Sequence, residues 1–447
     1  MHPSQGGMMF TPLSRIVLYP LIVILPAVLV TAFGAETHGF VSELGRNAAL
    51  AAVMIIVLQG ILAARLKWIT HPFGLDIVLR FHKYMAMAAA VLLLLHPVLL
   101  AAGSGNLGLL ISLDLPWYIW LGKITLLLVL VNVGVSWYQR NLHLKFEKWR
   151  CLHDILGPVI IVCAFVHSIT VGHDLRHPFM QGLWIVFFVT AVLVFVWHRI
   201  IRPRQLRQNL WEVTDVQQET DDVWTVKLEP PEEKKVFQYL PGQFQFITFF
   251  RGRDLPVEEH HWTISSSPAE KNFVTSTIKA LGDFTATIKE TRPGDKAAVH
   301  APFGRFSYTL HPEEKDLVFL AGGIGITPLM SMLRHMRDVQ ADHSVVLLYG
   351  NPDTDQAVFH QEIKEIEAGG HPDLKVVDVL SDPNENWDGE SGYIDREKII
   401  RHCGEDLSGK TFYVCGPPPL IAAVMSALNE LAVSPRQIRV EIFSFLD

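Results

Sequence analysis

Four histidines in this chain carry a spacing that chemistry can use. His82 and His96 lie in one apolar segment and His153 and His167 in another, each pair 14 residues apart. On an α-helix, 14 steps of about 100° return to within roughly 40° of the starting direction and climb about 21 Å. Two such helices side by side offer two imidazole pairs, one above the other. That arrangement suits two haem irons stacked across a bilayer, each clamped between two imidazoles. One histidine in an apolar helix more often packs than ligates. Polar side chains inside membrane segments are costly and mark function, however, and a repeated pair at equal spacing is the stronger signal.

The elements that must position these residues are apolar. Stretches near 15–34, 47–65, 79–101, 117–138, 152–171 and 179–198 are each long enough to cross roughly 30 Å of hydrocarbon. The connections alternate in charge. Arg65, Lys67, Arg80 and Lys83 follow the second span, and Arg140, Lys145, Lys148 and Arg150 follow the fourth. Arg199, Arg202, Arg204 and Arg207 follow the last, while the intervening loops hold little beyond Arg46 and Arg176. The positive-inside rule then places the N-terminus and everything after residue 200 in the cytoplasm. The third and fifth spans both run outward. His82 and His153 are expected near the cytoplasmic face, His96 and His167 near the outer face. His38, His71, His143, His173, His177 and His198 sit at span ends or in loops and are expected to be interfacial. The first apolar stretch lacks an A-x-A site and reads as a membrane helix, not a cleaved signal.

Composition agrees with a membrane half joined to a soluble half. The 447 residues are 49% hydrophobic. Residues 1–208 hold 16 Lys/Arg against 7 Asp/Glu, and the remainder 22 against 38. No segment is basic enough, or patterned, to suggest nucleic acid. The four cysteines, Cys151, Cys163, Cys403 and Cys415, form no CxxC pair, which argues against a disulfide scaffold, a zinc site or an iron–sulfur cluster.

After Pro203 the pattern changes to short β-branched runs broken by turn signals, as in WTVKL, FQFITFF and FVTSTIKA. This predicts an antiparallel β-barrel to about residue 313. From there, strands alternating with helices predict a parallel α/β domain. Gly322, Gly323, Gly325, Thr327 and Pro328 form a Gly-rich turn between an apolar run and a helix, a setting that lets backbone approach a pyrophosphate. Cys415, Gly416 and Pro417 close a second strand, and strand ends of an open α/β sheet are where ligands bind. In the barrel, His260-His261-Trp262-Thr263-Ile264-Ser265-Ser266 places an aromatic beside hydroxyls, a combination that can stack on a flavin. The expected domains are 1–205 with six helices, 206–313 for the β-barrel, and 314–447 for the α/β domain.

Taken in order, the two His pairs, HHWTISSS, GDFT, GGIGITP, CGPP and an aromatic C-terminus resemble the NADPH-oxidase/ferric-reductase superfamily over nearly the whole chain. The resemblance implies a six-helix transmembrane haem-binding bundle followed by a ferredoxin–NADP-reductase-like module. It implies two haem b groups for the first expected domain, FAD for the second, and NADPH or NADH as donor for the third. His260, Trp262 and Thr263 fall on the family's FAD motif, and Ser265, Ser266, Lys279, Gly282 and Thr285 on the adjoining contact segments. Gly322 to Pro328 would cradle the dinucleotide, with Cys415, Gly416 and Pro417 bordering the nicotinamide. Phe443 resembles the terminal aromatic that covers the flavin, with Phe445 the runner-up and a packed last strand the plain alternative. Arg46 resembles a family arginine near the outer haem, although a snorkelling anchor also accounts for it.

The chain departs from the family in places. His261 replaces the proline of HPFT and Trp262 its phenylalanine. No arginine follows Tyr349-Gly350-Asn351-Pro352 to pair a 2′-phosphate, so NADH can serve as well as NADPH. Leu100 stands one turn beyond His96, where a further histidine could mark an oxidase acceptor site, and no EF-hand loop is present. The implied activity is transfer from cytoplasmic NAD(P)H through FAD and two haems to oxygen, giving superoxide. A transmembrane ferric-chelate reductase and an electron donor to an extracytoplasmic protein are the alternatives, and no protein partner is expected to be required. The expected setting is a bacterial plasma membrane.

Overall fold

The computed structural model divides into two compact units, Met1–Pro203 and Arg204–Asp447. The structure describes residues 12–33, 39–232 and 234–443; His38 and Phe445 lie outside them.

In the first unit, long helices follow one another: α1 (Pro12–Phe33), α2 (Phe40–Ala63), a short α3 (Lys67–Phe73), α4 (Leu75–Gly103), α5 (Trp117–Trp137), α6 (Phe146–Val171) and α7 (Pro178–Val196). A π turn at Trp197–Ile201 then leads into α8 (Arg202–Arg207). Six helical segments are long and apolar enough to cross a membrane. α4 and α6 begin four to six residues before the apolar stretches that mark them. Hydropathy sees only the embedded part of a helix, whereas charged residues such as Asp76, Glu147 and Lys148 continue it toward the interface. α4 packs chiefly on α2, and α6 on α5. The α2–α4 approach is close because Gly45 has no side chain: a Cβ there would lie 3.2 Å from the His96 carbonyl oxygen.

The second unit opens with an antiparallel sheet of β1 (Trp211–Thr220), β2 (Val223–Glu229), β3 (Phe244–Phe250), β4 (Glu259–Thr263), β5 (Val274–Lys279) and β6 (Lys296–Phe303). Its order is β4-β3-β6-β1-β2-β5. Alternate residues such as Val226, Leu228, Ile247 and Phe249 fill its core. The Ser276 hydroxyl on β5 donates to the Thr263 carbonyl (2.9 Å), and Ser265 N–H to the Thr275 carbonyl (2.8 Å), so the sheet curls until its two edges meet.

A parallel sheet follows, made of β7 (Asp316–Gly322), β8 (Ser344–Asn351), β9 (Asp373–Leu380), β10 (Glu390–Ser391), β11 (Lys410–Cys415) and β12 (Ile438–Glu441). Helices α9 (Ile326–Asp338), α10 (His360–Gly369), α11 (Arg396–Cys403) and α12 (Pro418–Glu430) cross between its strands. The order β10-β9-β8-β7-β11-β12 reverses direction between β7 and β11. Apolar clusters cover both faces, which is why β7 reads as an unbroken apolar run. The two sheets are tied through α9. Arg334 donates to the Ser265 carbonyl (2.7 Å) while pairing with Glu362 (2.6 Å), and the Ser331 hydroxyl donates to the Ser266 carbonyl (2.7 Å).

Candidate functional site

In the membrane unit the structure brings His82 and His153 together with ring centres 6.1 Å apart and planes at 67°. Two imidazoles bonded to one metal at about 2 Å each have ring centres roughly 6 Å apart, so the spacing suits a shared iron. His153 Nδ1 lies 3.0 Å from the Asn132 amide oxygen. His96 Nδ1 donates to the Gly45 carbonyl (2.9 Å) and His167 Nδ1 to the Tyr118 carbonyl (2.7 Å). His96 and His167 also lie within electrostatic reach of one another. His82 sits beside the Gln59 backbone, its Nδ1 buried without a hydrogen bond of ordinary geometry. In His96, His153 and His167 the engaged Nδ1 fixes the tautomer that keeps the Nε2 lone pair for a metal. The donor set fits haem iron.

Two features here are absent from the sequence reading. Gly122 lies flat under His167: a Cβ at this position would come within 2.5 Å of the imidazole. It also stands four residues after Tyr118, so the missing side chain uncovers the carbonyl that His167 uses. Asn132 and Ser136, one turn apart on α5, face His153. A polar residue in an apolar span is a signal the sequence does contain. Arg46 follows Gly45 directly, which puts it at the level of His96, and its guanidinium lies 3.9 Å from Glu43.

In the antiparallel sheet, His260 and Trp262 share one face of β4. Their rings are 5.6 Å apart, and Phe284 from the GDFT turn lies 4.2 Å from His260 and nearly parallel to Trp262 at 6.0 Å. Glu258 holds His260 Nε2 at 2.9 Å. The Thr285 hydroxyl accepts from Leu281 and Gly282 N–H (both 2.9 Å), closing that turn, and the space where a Gly282 Cβ would stand is open. Lys279 pairs with Asp222 at 3.3 Å. This half-buried aromatic ledge beside an open turn fits a flavin and its phosphates.

Ser265 and Ser266 lie buried beside this ledge. Ser265 is fully buried and its hydroxyl meets those of Thr275 (2.9 Å) and Thr277 (3.0 Å). The Ser266 hydroxyl is shared by Tyr239 (3.0 Å) and Thr275 N–H (3.1 Å). Both hydroxyls fasten the end of β4 to its neighbours. On the opposite face, His261 Nε2 donates to the Phe443 carbonyl at 2.8 Å, and Phe443 packs against the apolar cluster around Ile326.

The reversal between β7 and β11 is a topological switch point, where an open α/β sheet leaves a ligand crevice at its carboxyl edge. Gly322–Gly325 and Cys415–Pro417 line it. A Cβ on Gly325 would lie 2.3 Å from the Cys415 carbonyl oxygen, and one on Gly322 2.4 Å from Leu420, so glycine alone lets the two segments close up. α9 and α12 both begin here, so the positive ends of their dipoles lie at the crevice, although Pro418 and Pro419 leave α12 without an amide hydrogen before Leu420. Two side chains turn away. The Thr327 hydroxyl donates to the Ile324 carbonyl (3.0 Å), and Pro328 is buried beside it. Cys415 is fully enclosed, with burial raising its thiol well above the ordinary value, so it borders the crevice through its backbone. Beyond β8, the Asp353 carboxylate accepts from Gln356 N–H (3.0 Å) and its side-chain amide (2.7 Å).

Three family profiles match successive stretches of the chain. They are a ferric reductase like transmembrane component at 48–169, an FAD-binding domain at 209–303 and an oxidoreductase NAD-binding domain at 319–426. The chain is 34% identical over 156 residues to NADH–cytochrome b5 reductase 1 of Arabidopsis thaliana, covering 34% of this chain and 55% of that protein. It is 26% identical over 238 residues to a flavohemoprotein of Oceanobacillus iheyensis, covering 51% and 57%. It is 30% identical over 218 residues to a glycine betaine monooxygenase reductase subunit of Chromohalobacter salexigens, covering 47% and 58%. The chain thus spans little more than half the length of these relatives. The three profiles in this order match the architecture of the NADPH oxidase/ferric reductase superfamily.

Proposed function

We propose that this chain, of NADPH oxidase/ferric reductase architecture, is a flavin oxidoreductase that transfers electrons from cytoplasmic NAD(P)H to oxygen on the outer face of a bacterial plasma membrane. Each NAD(P)H would give up two electrons and one proton and convert two oxygen molecules to two superoxide ions. The observation that carries the reading is the His82/His153 pair at 6.1 Å, repeated 14 residues on by two histidines whose Nδ1 atoms are bonded, as that of His153 is.

His82 and His153 would hold an inner haem b, and His96 and His167 an outer one. His260, Trp262, Thr263, Lys279 and the 281–285 turn would hold FAD. Gly322–Gly325 with Gly416 and Pro417 would hold NADPH or NADH. When bound, the flavin supplies the exchange between hydride pairs and single electrons, and the haems supply single-electron transfer. The chain contributes placement. The positive dipole ends of α9 and α12 would favour the dinucleotide phosphates, and Phe443, whose carbonyl accepts from His261, would be the aromatic that yields to nicotinamide. With His82, His153, His96 and His167 all given to iron, no open coordination site would remain for oxygen. Arg46 would set a positive charge at the level of His96, which favours an anionic product.

The ferric-reductase-like match over 48–169 favours a second reading, in which a ferric chelate takes the electrons by the same route. The discriminating experiment supplies the purified protein with FAD and NADPH and measures cytochrome c reduction that superoxide dismutase abolishes. A strong dismutase-sensitive rate supports the oxidase. Haems that reduce normally without that rate refute oxygen as acceptor and leave the ferric chelate.

A further inference from the structure

We infer that Asn132 is a positioning residue that tunes the inner iron independently of the outer one. The inference rests on the reading of His82 and His153 as a ligand pair. His96 and His167 donate Nδ1–H to backbone carbonyls. A peptide carbonyl is the same acceptor whatever residue bears it. His153 is different, because its Nδ1 meets a side-chain amide oxygen at 3.0 Å, on a different helix.

The surroundings of this contact are closed. The Ser136 hydroxyl donates to the Asn132 backbone carbonyl (2.6 Å) and accepts from Trp149 Nε1–H (3.1 Å). It lies 3.4 Å from His153 Nδ1, beyond the better-placed amide. The Trp149 ring lies against the His153 ring at 5.5 Å, with planes at 31°. Because the Ser136 hydrogen is committed to the backbone, the hydroxyl offers Nδ1 no donor. The Nδ1 proton therefore points to Asn132, and Nε2 keeps its lone pair for iron. The strength of the acceptor at position 132 then sets how strongly His153 donates. A carboxylate there draws the proton away, makes the imidazole more basic and favours ferric iron. An apolar residue leaves a buried N–H without a partner and frees the ring to turn.

The test is a spectroelectrochemical titration of both haems in the full-length, haem-loaded protein in detergent. It compares the wild type with Asn132→Asp, Asn132→Leu and, as an α5 control, Gly134→Ala, where a Cβ meets nothing within 4 Å. The inner component is the one that a His153→Leu variant lacks. It is expected to move to lower potential in N132D and to higher potential in N132L, with the outer component and the control unmoved. N132L should also retain the inner haem about 10- to 100-fold more weakly. Should N132L fail to fold, the near-isosteric N132D still decides. Potentials that stay fixed, or that shift together in both components, overturn the inference while leaving the ligand reading intact. A wild type without a low-spin bis-imidazole spectrum overturns the ligand reading and this inference with it.

Discussion

Replacing Gly122 with alanine should remove the outer haem and spare the inner one. The added Cβ would stand 2.5 Å from His167 Cε1 and 2.8 Å from each ring nitrogen, where ordinary contact begins at 3.4 Å. The imidazole must therefore retreat by about 1 Å. It cannot do so freely, because Nδ1 is bonded to the Tyr118 carbonyl at 2.7 Å on the same helix as the intruding methyl. Metal–ligand bonds tolerate about 0.2 Å of error, so a 1 Å displacement breaks axial ligation unless α5 and α6 separate. Overpacking of this kind costs about 1–3 kcal/mol, roughly a 5- to 150-fold loss in occupancy of the ligating geometry. The assay is haem per protein by pyridine haemochrome, expected to fall from two toward one, with a remaining low-spin spectrum that still responds to Asn132 substitution. Gly134→Ala on the same helix meets nothing within 4 Å and should keep both haems. A Gly122→Ala protein with two haems and an unchanged spectrum would refute the placement of His167.

His96→Leu should likewise remove one haem and block reduction of any outer acceptor, while NAD(P)H still reduces ferricyanide at the flavin; two haems and full acceptor reduction would sink the assignment. Gly325→Ala drives a Cβ to 2.3 Å from a backbone oxygen, and at least a tenfold rise in the KM for NAD(P)H is expected, with FAD content unchanged. His261→Ala removes one hydrogen bond to the Phe443 carbonyl, worth about 1 kcal/mol, so Phe443 should yield more easily and the KM for nicotinamide should fall about fivefold; an unchanged KM would show that the contact does not restrain the aromatic. Glu362 sets an acid limit. Burial raises its carboxyl, but hydrogen bonds and charge from Arg334 and Arg337 outweigh that and hold it below 4.5. Its contribution is complete above the unfolded value and lost as pH falls through the lower folded one. The unfolding temperature of the Arg204–Asp447 unit should fall as pH drops through the lowered Glu362 value, less steeply in Glu362→Gln.

How much of this is legible in sequence depends on whether the signal is local. The 14-residue histidine spacing, the apolar spans and the unbroken run of β7 are properties of single segments, and the structure has them. Pairing across helices is not local. Nothing in the sequence around Gly122 or Gly45 says that an imidazole 45 or 51 residues away will use the space, because the requirement belongs to the packed pair of helices. Ser265, Ser266, Thr327 and Cys415 show the converse. Their motif positions are right for cofactor contact, yet Ser265 turns to Thr275 and Thr277 on the neighbouring strand, and Thr327 back to its own turn. Which way a short hydroxyl points is decided by whichever partner satisfies it once water is gone, and a buried hydroxyl left unpaired would cost more than a contact with ligand returns. The side chains that would be left to meet a cofactor are those with a face larger than their own hydrogen-bonding needs, such as Trp262 and the four imidazoles. The glycines complete the sites by keeping the neighbouring backbone clear.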